Sequence, residues 1–283
     1  MEKRCDLHSH SNFSDGTCSP TELVWLAQQQ GLLALALTDH NTSKGLKEFM
    51  EAGKNSNVIT VPGCEFTTEW HSKEVHIVGL FFQEKYWLEV EDFMELAILA
   101  KHNSNVKLID NLQKAGYEIT YEEATALTDA GEFNRTHVAR ILLQKGYIGS
   151  VAEGFDTLLK PNNGFYEPAR RITSMAAINF IKVHEAIPIL AHPFLNLTDS
   201  ELLEFLPEAK ASGLIAMETH YSEFDQEMTE KAMTLAEHFD LKQSGGSDFH
   251  GTTKPGISLG TGRGNLDVPF SFYEELYACI GHN

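Results

Sequence analysis

Two histidines separated by one residue, His8 and His10, follow a predicted strand over 3–7 near the start of the chain. Side chains at positions i and i+2 of an extended chain point to the same face, so both imidazoles can approach one point. Asp15 offers a carboxylate a few residues later. Imidazole and carboxylate ligands together suit manganese, iron and zinc ions. The spacing predicts a metal site. The alternative is that His8 and His10 are ordinary polar residues of a loop.

Further residues that can bind metal recur at the ends of later predicted strands. The full set is His8, His10, Asp15, His40, Glu65, His192, Asp248 and His250, with His76 inside its own strand. Each one alone has an ordinary explanation, such as a helix cap or a buried histidine with a hydrogen-bond partner. Their coincidence at nearly every strand end predicts a site for more than one metal ion. His220 also follows a predicted strand, and its role stays open.

The elements that position these residues alternate between helix and strand. Ser19, Pro20 and Glu22 form the pattern of a capping box, which predicts the start of the first helix. The apolar run over 32–37 has the length of a strand buried on both faces. Later predicted strands are 58–61, 74–81, 187–190, 214–217 and 241–244. Such alternation predicts parallel strands in an α/β barrel, whose chemistry lies at the carboxyl ends of the strands.

The segment over 86–160 differs from the rest, because its signals are helical throughout. We interpret it as an inserted helical lid subdomain that interrupts a metal-binding barrel. The predicted barrel segments are therefore 1–85 and 161–283.

The charge balance restricts the kind of substrate. The chain carries 40 acidic and 22 basic residues, a formal net charge of −18. This charge argues against gripping long nucleic acid through its backbone, whereas locally bound metal ions would still attract a small anion. The four cysteines are scattered as in reduced cytosolic proteins, and the sequence has no pattern of a membrane span or signal peptide. We therefore expect a cytoplasmic protein with no membrane partner.

Six motifs occur in a fixed order along the chain. They are Asp6-Leu7-His8-Ser9-His10-Ser11, Leu37-Thr38-Asp39-His40, Pro62-Gly63-Cys64-Glu65, Val75-His76-Ile77-Val78-Gly79-Leu80, Ala191-His192-Pro193 and Gly246-Ser247-Asp248-Phe249-His250-Gly251. In these motifs the chain resembles the PHP (polymerase and histidinol phosphatase) family. The resemblance implies a distorted (β/α)7 TIM-like barrel that holds two to three divalent metal ions, of manganese, iron or zinc.

The same resemblance implies how the ligands are shared among the ions. One ion would be held by His8, His10, Glu65 and Asp248. Glu65 would bridge to a second ion, which His76 and His192 also hold. A third ion would be held by Asp15, His40 and His250.

Within the family, the helical insertion and the segment Asn134-Arg135-Thr136-His137 resemble a branch that acts on nucleotides. This implies hydrolysis of a phosphomonoester of a small nucleotide, a nucleoside 3′,5′-bisphosphate, by a metal-activated hydroxide. Alternatives are a 5′-3′ exonuclease on short oligoribonucleotides, a histidinol-phosphate-type phosphatase, a metal-dependent amidohydrolase and a non-catalytic metal-binding module. The segment Thr219-His220-Tyr221 departs from the small residues of that branch, which leaves the shape of the pocket open.

Arg135 and His137 open a predicted helix in the insertion. A helix N-terminus attracts anions, and a guanidinium matches phosphate oxygens two at a time. We therefore expect both residues to grip the non-reacting phosphate of a bisphosphate, with Arg170 as a weaker candidate for the same role. The alternative is that Arg135 caps a helix or forms an ion pair inside the insertion.

Overall fold

The computed structural model describes residues 3–127, 133–169 and 171–281. The chain forms two compact units. The first contains the chain up to Asp92 and again from Ile172, and the second is Phe93–Arg171. The second unit therefore begins 7 residues after the predicted boundary at 86 and ends 11 residues after the predicted boundary at 160. Within the described ranges, none of the helices is long and apolar enough to cross a bilayer.

The first unit is built on a seven-stranded sheet in which the strands pair in chain order. The strands are β1 (Cys5–Asp6), β2 (Ala34–Leu37), β3 (Ile59–Trp70), β4 (Lys73–Leu80), β5 (Ile187–Leu190), β6 (Ala216–Tyr221) and β7 (Lys242–Gly246). The last strand, β7, lies beside the first. The amide of Leu7, directly after β1, donates to the carbonyl of Gly245 in β7 at 3.1 Å. The sheet is thus a distorted barrel, as predicted.

The direction of β4 corrects the expectation of parallel strands. β4 runs antiparallel to both β3 and β5, whereas the remaining neighbours within the sheet are parallel. The cause is a tight hairpin, in which His71 and Ser72 both have positive φ, 47° and 65°. Two such residues make a turn whose twist matches that of the flanking strands. Because the turn lacks the usual Gly or Asn, this reversal could not be read from the sequence.

Among the described residues, six helices of the first unit pack around the sheet. They are α1 (Pro20–Gln29), α2 (Leu46–Gly53), α7 (Ser174–Val183), α8 (Asp199–Ser212), α9 (Gln226–His238) and α10 (Phe270–Ala278). The predicted capping box opens α1: the Ser19 hydroxyl accepts from the Glu22 amide, and the Glu22 carboxylate accepts from the Ser19 amide. The sheet lies in the core of the unit, since all four residues of β2 are inaccessible to solvent.

The second unit is helical. α3 (Trp87–Lys114) enters it, and α4 (Tyr121–Thr125), α5 (Arg135–Gln144) and α6 (Val151–Gly154) follow, with a π-helical turn over Phe155–Leu159. The unit has an apolar core of its own, which includes Leu108, Leu112, Phe133, Leu142 and Leu159.

Candidate metal centre

The predicted ligands come together where the strands of the barrel end. In chain order they are His8 and His10 after β1, Asp15 before α1, His40 after β2, Glu65 in β3, His76 in β4, His192 after β5, and Asp248 and His250 after β7. His76 reaches the site from inside its strand because β4 runs antiparallel to its neighbours.

Glu65 occupies the middle of this cluster and is fully buried. Its Oε1 lies 2.8 Å from Nδ1 of His76 and 3.0 Å from Nε2 of His192. Its Oε2 lies 3.1 Å from one ring nitrogen of each of three further histidines, namely His8, His10 and His40. Both oxygens of one carboxylate therefore face histidine ring nitrogens, which is the arrangement that the predicted bridging role of Glu65 requires.

Asp248 is the second buried carboxylate of the cluster. Its Oδ1 lies 3.1 Å from Nε2 of His10, 3.6 Å from Nε2 of His8 and 3.3 Å from Nδ1 of His250. The backbone of Asp248 has a positive φ of 53°, as does that of His192 at 28°. Left-handed conformations cost energy for residues other than glycine, and they concentrate at functional sites.

Gly246 allows β7 to approach β1 closely enough to bring the predicted ligands of these two segments together. A Cβ atom at position 246 would lie 2.4 Å from the Cβ of His8 and 2.5 Å from its amide nitrogen. Backbones can pass this closely only where one residue has no side chain. Just beyond, the Asp248 amide donates to the His8 carbonyl at 2.9 Å.

Among the described residues, three groups of side chains could each hold a metal ion. Within each group, the donor atoms all lie within 4.8 Å of one another. The groups are His8, His10, Glu65 and Asp248; His10, Asp15, His40 and His250; and His40, Glu65 and His76. The first group is the predicted first set. The second contains the predicted third set together with His10. The third contains Glu65 and His76 of the predicted second set together with His40. It does not include His192, although Nε2 of His192 lies 3.0 Å from Oε1 of Glu65.

The hydrogen bonding of the cluster fits a metal ion better than a purely structural network. Within the described ranges, the buried atoms His10 Nδ1, His40 Nδ1 and His250 Nε2 have no hydrogen-bond partner. The last two each lie 3.1 Å from a carboxylate oxygen, but neither contact forms a hydrogen bond. Buried polar atoms without partners are rare in folded proteins and call for a specific cause. Because divalent transition metals prefer imidazole nitrogens and carboxylate oxygens, bound ions would supply that cause.

The electrostatics keep the carboxylates ionised and ready to bind cations. Burial opposes ionisation of Glu65, but the neighbouring His8, His40 and His76 hold its pKa well below the usual value. Burial likewise opposes ionisation of Asp15, whose pKa the contact with His250 still lowers to about 2. Burial lowers the pKa of His40 to about 4, so this ring is neutral near pH 7 and can donate a lone pair to a metal.

Comparison with known proteins supports this assignment. A family model described as PHP domain matches residues 6–240. The chain belongs to the PHP domain family. Among the relatives of this PHP protein is a 5′-3′ exoribonuclease of Haemophilus influenzae, 35% identical over 251 residues, or 88% of this chain and 91% of that one. Another is a 3′,5′-nucleoside bisphosphate phosphatase of Chromobacterium violaceum, 27% identical over 281 residues, or 97% of each chain.

A solved structure has the same fold along nearly its full length. It is described as an amidohydrolase from Chromobacterium violaceum with bound sulfate and no metal. The TM-score is 0.68 and the sequence identity 25%, with 98% of this chain and 97% of that chain covered. Family membership and the named relatives establish this PHP protein as a metal-dependent phosphoesterase, which confirms the resemblance seen in the sequence.

Glu218 is a residue of the site that sequence reasoning missed. It lies in β6, where its Oε1 is 2.8 Å from Nδ1 of His8 and its Oε2 accepts from the amide of His192 at 2.7 Å. The sequence places it at the end of a predicted strand, so the same criterion that selected the other ligands could have found it. A carboxylate on the far nitrogen of a metal-binding imidazole fixes the orientation of the ring and raises its basicity.

We expect Glu218→Gln to weaken the affinity for metal by roughly 10–100-fold, because this is the usual effect of losing such a partner. The measurement is competition with a chelator of known affinity. Glu223→Gln, on an exposed residue paired with Arg263 at 2.8 Å, is the matched control. Equal metal affinity in the two variants would contradict an orienting role for Glu218.

His220 does not join the ligand groups within the described part of the chain. Its Nδ1 lies 2.9 Å from the Thr219 hydroxyl, and its ring packs edge-on against Phe272. Burial lowers the pKa of His220. These contacts are those of a structural histidine. The neighbouring Tyr221 instead reaches the site, where its hydroxyl donates to Oδ2 of Asp248 at 2.8 Å.

The predicted phosphate contacts lie in the second unit. Asn134 caps α5, Arg135 is its first residue, and the His137 ring accepts from the Asn134 amide at 3.2 Å. Arg135 donates to the Leu159 carbonyl at 2.9 Å, and its guanidinium lies over the ring of Tyr166. Arg170, the weaker candidate, lies outside the described residues.

Proposed function

We propose that this PHP protein hydrolyses a phosphomonoester of a small nucleotide, and that its preferred substrate is a nucleoside 3′,5′-bisphosphate. The observation that carries the proposal is the placement of Glu65, whose Oε1 faces two histidine ring nitrogens and whose Oε2 faces three. Such a carboxylate suits a centre of more than one ion, and sites of this kind act on phosphoesters. The relative named as a bisphosphate phosphatase, aligned over 97% of each chain, supports the choice of substrate.

The side chains at such a centre would have different roles. Divalent ions, when bound, would neutralise charge on phosphoryl oxygens and lower the pKa of water near them. Glu65, Asp248 and the histidines would hold the ions, and Glu218 would keep the His8 ring in its ligating orientation. Asp15, whose side chain is 52% exposed, would hold an ion at the solvent side of the cluster, with His40 and His250. The other side chains of the site would then only need to position the phosphate ester.

The preference for small substrates can be tested by chain length. We expect the protein loaded with manganese to hydrolyse a nucleoside 3′,5′-bisphosphate faster than a long single strand, because a net charge of −18 repels a polyanion. The measurement is kcat/KM for the bisphosphate, a 5′-phosphorylated trimer and a long RNA at one ionic strength. Equal or faster turnover of the long RNA would overturn the preference.

A second candidate is 5′-3′ exonuclease activity on short oligoribonucleotides. The observation in its favour is that the relative named as an exoribonuclease is 35% identical, whereas the named bisphosphate phosphatase is 27% identical. Release of mononucleotides from the trimer at a higher kcat/KM than phosphate release from the bisphosphate would favour this candidate.

Arg135 and His137 are proposed to bind the phosphate that does not react. We expect Arg135→Ala to reduce kcat/KM for a bisphosphate by the equivalent of roughly 1.5–3 kcal/mol, the range for a hydrogen bond to a charged group. A nucleoside monophosphate that carries only the scissile phosphate should be affected little. The measurement compares kcat/KM for the two substrates in wild type and variant.

The internal contacts of Arg135 make a structural control necessary. Arg140→Ala, on an exposed residue of the same helix, is the matched variant. Thermal unfolding of both variants separates loss of the second unit from loss of a substrate contact. If Arg135→Ala slows both substrates by one factor, Arg135 stabilises the unit through Leu159 and Tyr166 and does not bind the second phosphate.

A further inference from the structure

We propose that Lys254 binds a phosphoryl oxygen of the substrate at the metal centre, an assignment that rests on the proposed phosphoesterase function. Lys254 follows the short 3-10 turn Gly251–Thr253 behind β7. Its Nζ lies 2.6 Å from Oδ2 of Asp248, one of the predicted ligands. A lysine ammonium is thus in contact with the ligand cluster, on a side chain that the sequence did not single out.

The two oxygens of Asp248 have different surroundings. Oδ1 faces the ring nitrogens of His10 and His250, at 3.1 Å and 3.3 Å. Oδ2 accepts two hydrogen bonds, from the Tyr221 hydroxyl at 2.8 Å and from Lys254 at 2.6 Å. If Lys254 turns away, Oδ2 keeps the buried tyrosine as a donor. Lys254 can therefore leave Asp248 without exposing an unsatisfied buried carboxylate oxygen.

Lys254 also lies where the cluster meets solvent. Its side chain is 38% exposed, compared with 3% for that of Asp248. The turn before it is tied to the segment that carries Asp15, since the Thr253 hydroxyl donates to the Asp15 carbonyl at 2.9 Å. Asp15 is the most exposed of the predicted ligands. The ammonium is consequently placed where an incoming anion meets both the ligand cluster and solvent.

The chemistry of lysine suits this role. Its ammonium is a point charge on a flexible stem, which can exchange one oxygen partner for another over a short distance. A hydrogen bond from an ammonium to a phosphate oxygen is charge-assisted and strong, and Lys254 would make it without occupying a ligand position. The competing explanation is a fixed ion pair, in which Lys254 only holds Asp248 in place for the metal.

The two explanations differ in what Lys254→Met changes. The experiment uses the full chain loaded with manganese, with metal content measured by elemental analysis and inorganic phosphate binding measured by calorimetry. We expect the Kd for phosphate to rise roughly 10–100-fold, as for loss of a charge-assisted hydrogen bond, with the metal content unchanged. Lys254→Arg, which keeps the charge, should retain phosphate affinity within a few-fold.

Lys242→Met is the matched control, because Lys242 lies at the other end of β7 and pairs with Glu275 at 3.4 Å. An unchanged Kd for phosphate in Lys254→Met would overturn the assignment, and so would a loss of metal in that variant. The proposed function is tested separately by the wild-type protein. If that protein binds phosphate through Lys254 but hydrolyses no nucleotide, the proposed function is wrong and the phosphate contact stands.

Discussion

Replacement of Glu65 by Gln is expected to reduce phosphoester hydrolysis by about 10³-fold or more. A loss of this size corresponds to several kcal/mol of charge stabilisation, at about 1.4 kcal/mol for each factor of ten. Gln has nearly the same shape, so the change creates no cavity. It exchanges one carboxylate oxygen for an amide NH₂ group. That group would face histidine ring nitrogens at the position where Oε1 or Oε2 of Glu65 now lies.

The position of Glu65 also predicts a ranking among ligand variants. A histidine at the edge of the cluster contacts fewer of the other predicted ligands than Glu65 does. We therefore expect His192→Gln to reduce kcat less than Glu65→Gln. His192 contacts Glu65 at 3.0 Å and is absent from the three groups of donors among the described residues. The measurement is kcat at saturating manganese for both variants, with unfolding temperatures as a check on the fold.

Glu51→Gln, an exposed residue of α2, is the control for a generic change of charge. A rate for Glu65→Gln near that of the wild type would show that Glu65 does not bridge two ions. A greater loss in His192→Gln than in Glu65→Gln would contradict the ranking.

Removal of metal is expected to abolish hydrolysis, and the active protein should contain at least two divalent ions per chain. The reason is that the donors form overlapping groups, some around Glu65 and one around Asp15, with His10 and His40 shared between groups. Elemental analysis of protein purified without chelators measures the content. Activity should return when manganese, iron or zinc is added back to stripped protein.

Removal of the metal ions should also lower the unfolding temperature, because ions that bind only the folded state stabilise that state by mass action. At a free metal concentration of about 100 times Kd this stabilisation is about 2.7 kcal/mol. Apparent affinity should increase with pH, because ligands must lose protons to bind metal. Burial opposes protonation of His76, yet contacts with Glu65 and Glu74 raise its pKa to about 10, so its proton must be displaced at neutral pH.

Two outcomes would contradict this prediction. One is a content of one equivalent or less that added manganese does not increase. The other is full hydrolysis by protein whose metal content has been reduced to background by a chelator.

The sequence alone determined the features that depend on neighbouring residues. The spacing of His8 and His10 placed both imidazoles on one face, because alternation in an extended chain is a local property. The capping pattern at Ser19 set the start of α1 through bonds that span three residues. Candidate ligands at the ends of strands could be chosen because parallel barrel strands bring those ends together.

Only the tertiary structure decided which distant groups face each other. The β3–β4 hairpin reverses one strand and brings His76 to Glu65 from within it, although its turn lacks the usual residues. Glu218 reaches His8 across 210 positions of sequence, and Lys254 meets Asp248 through a turn without a regular pattern. Such contacts depend on strand direction, register and loop path. Strand direction, register and loop path are determined by interactions between residues far apart in the chain. The local periodicity of the sequence does not predict them.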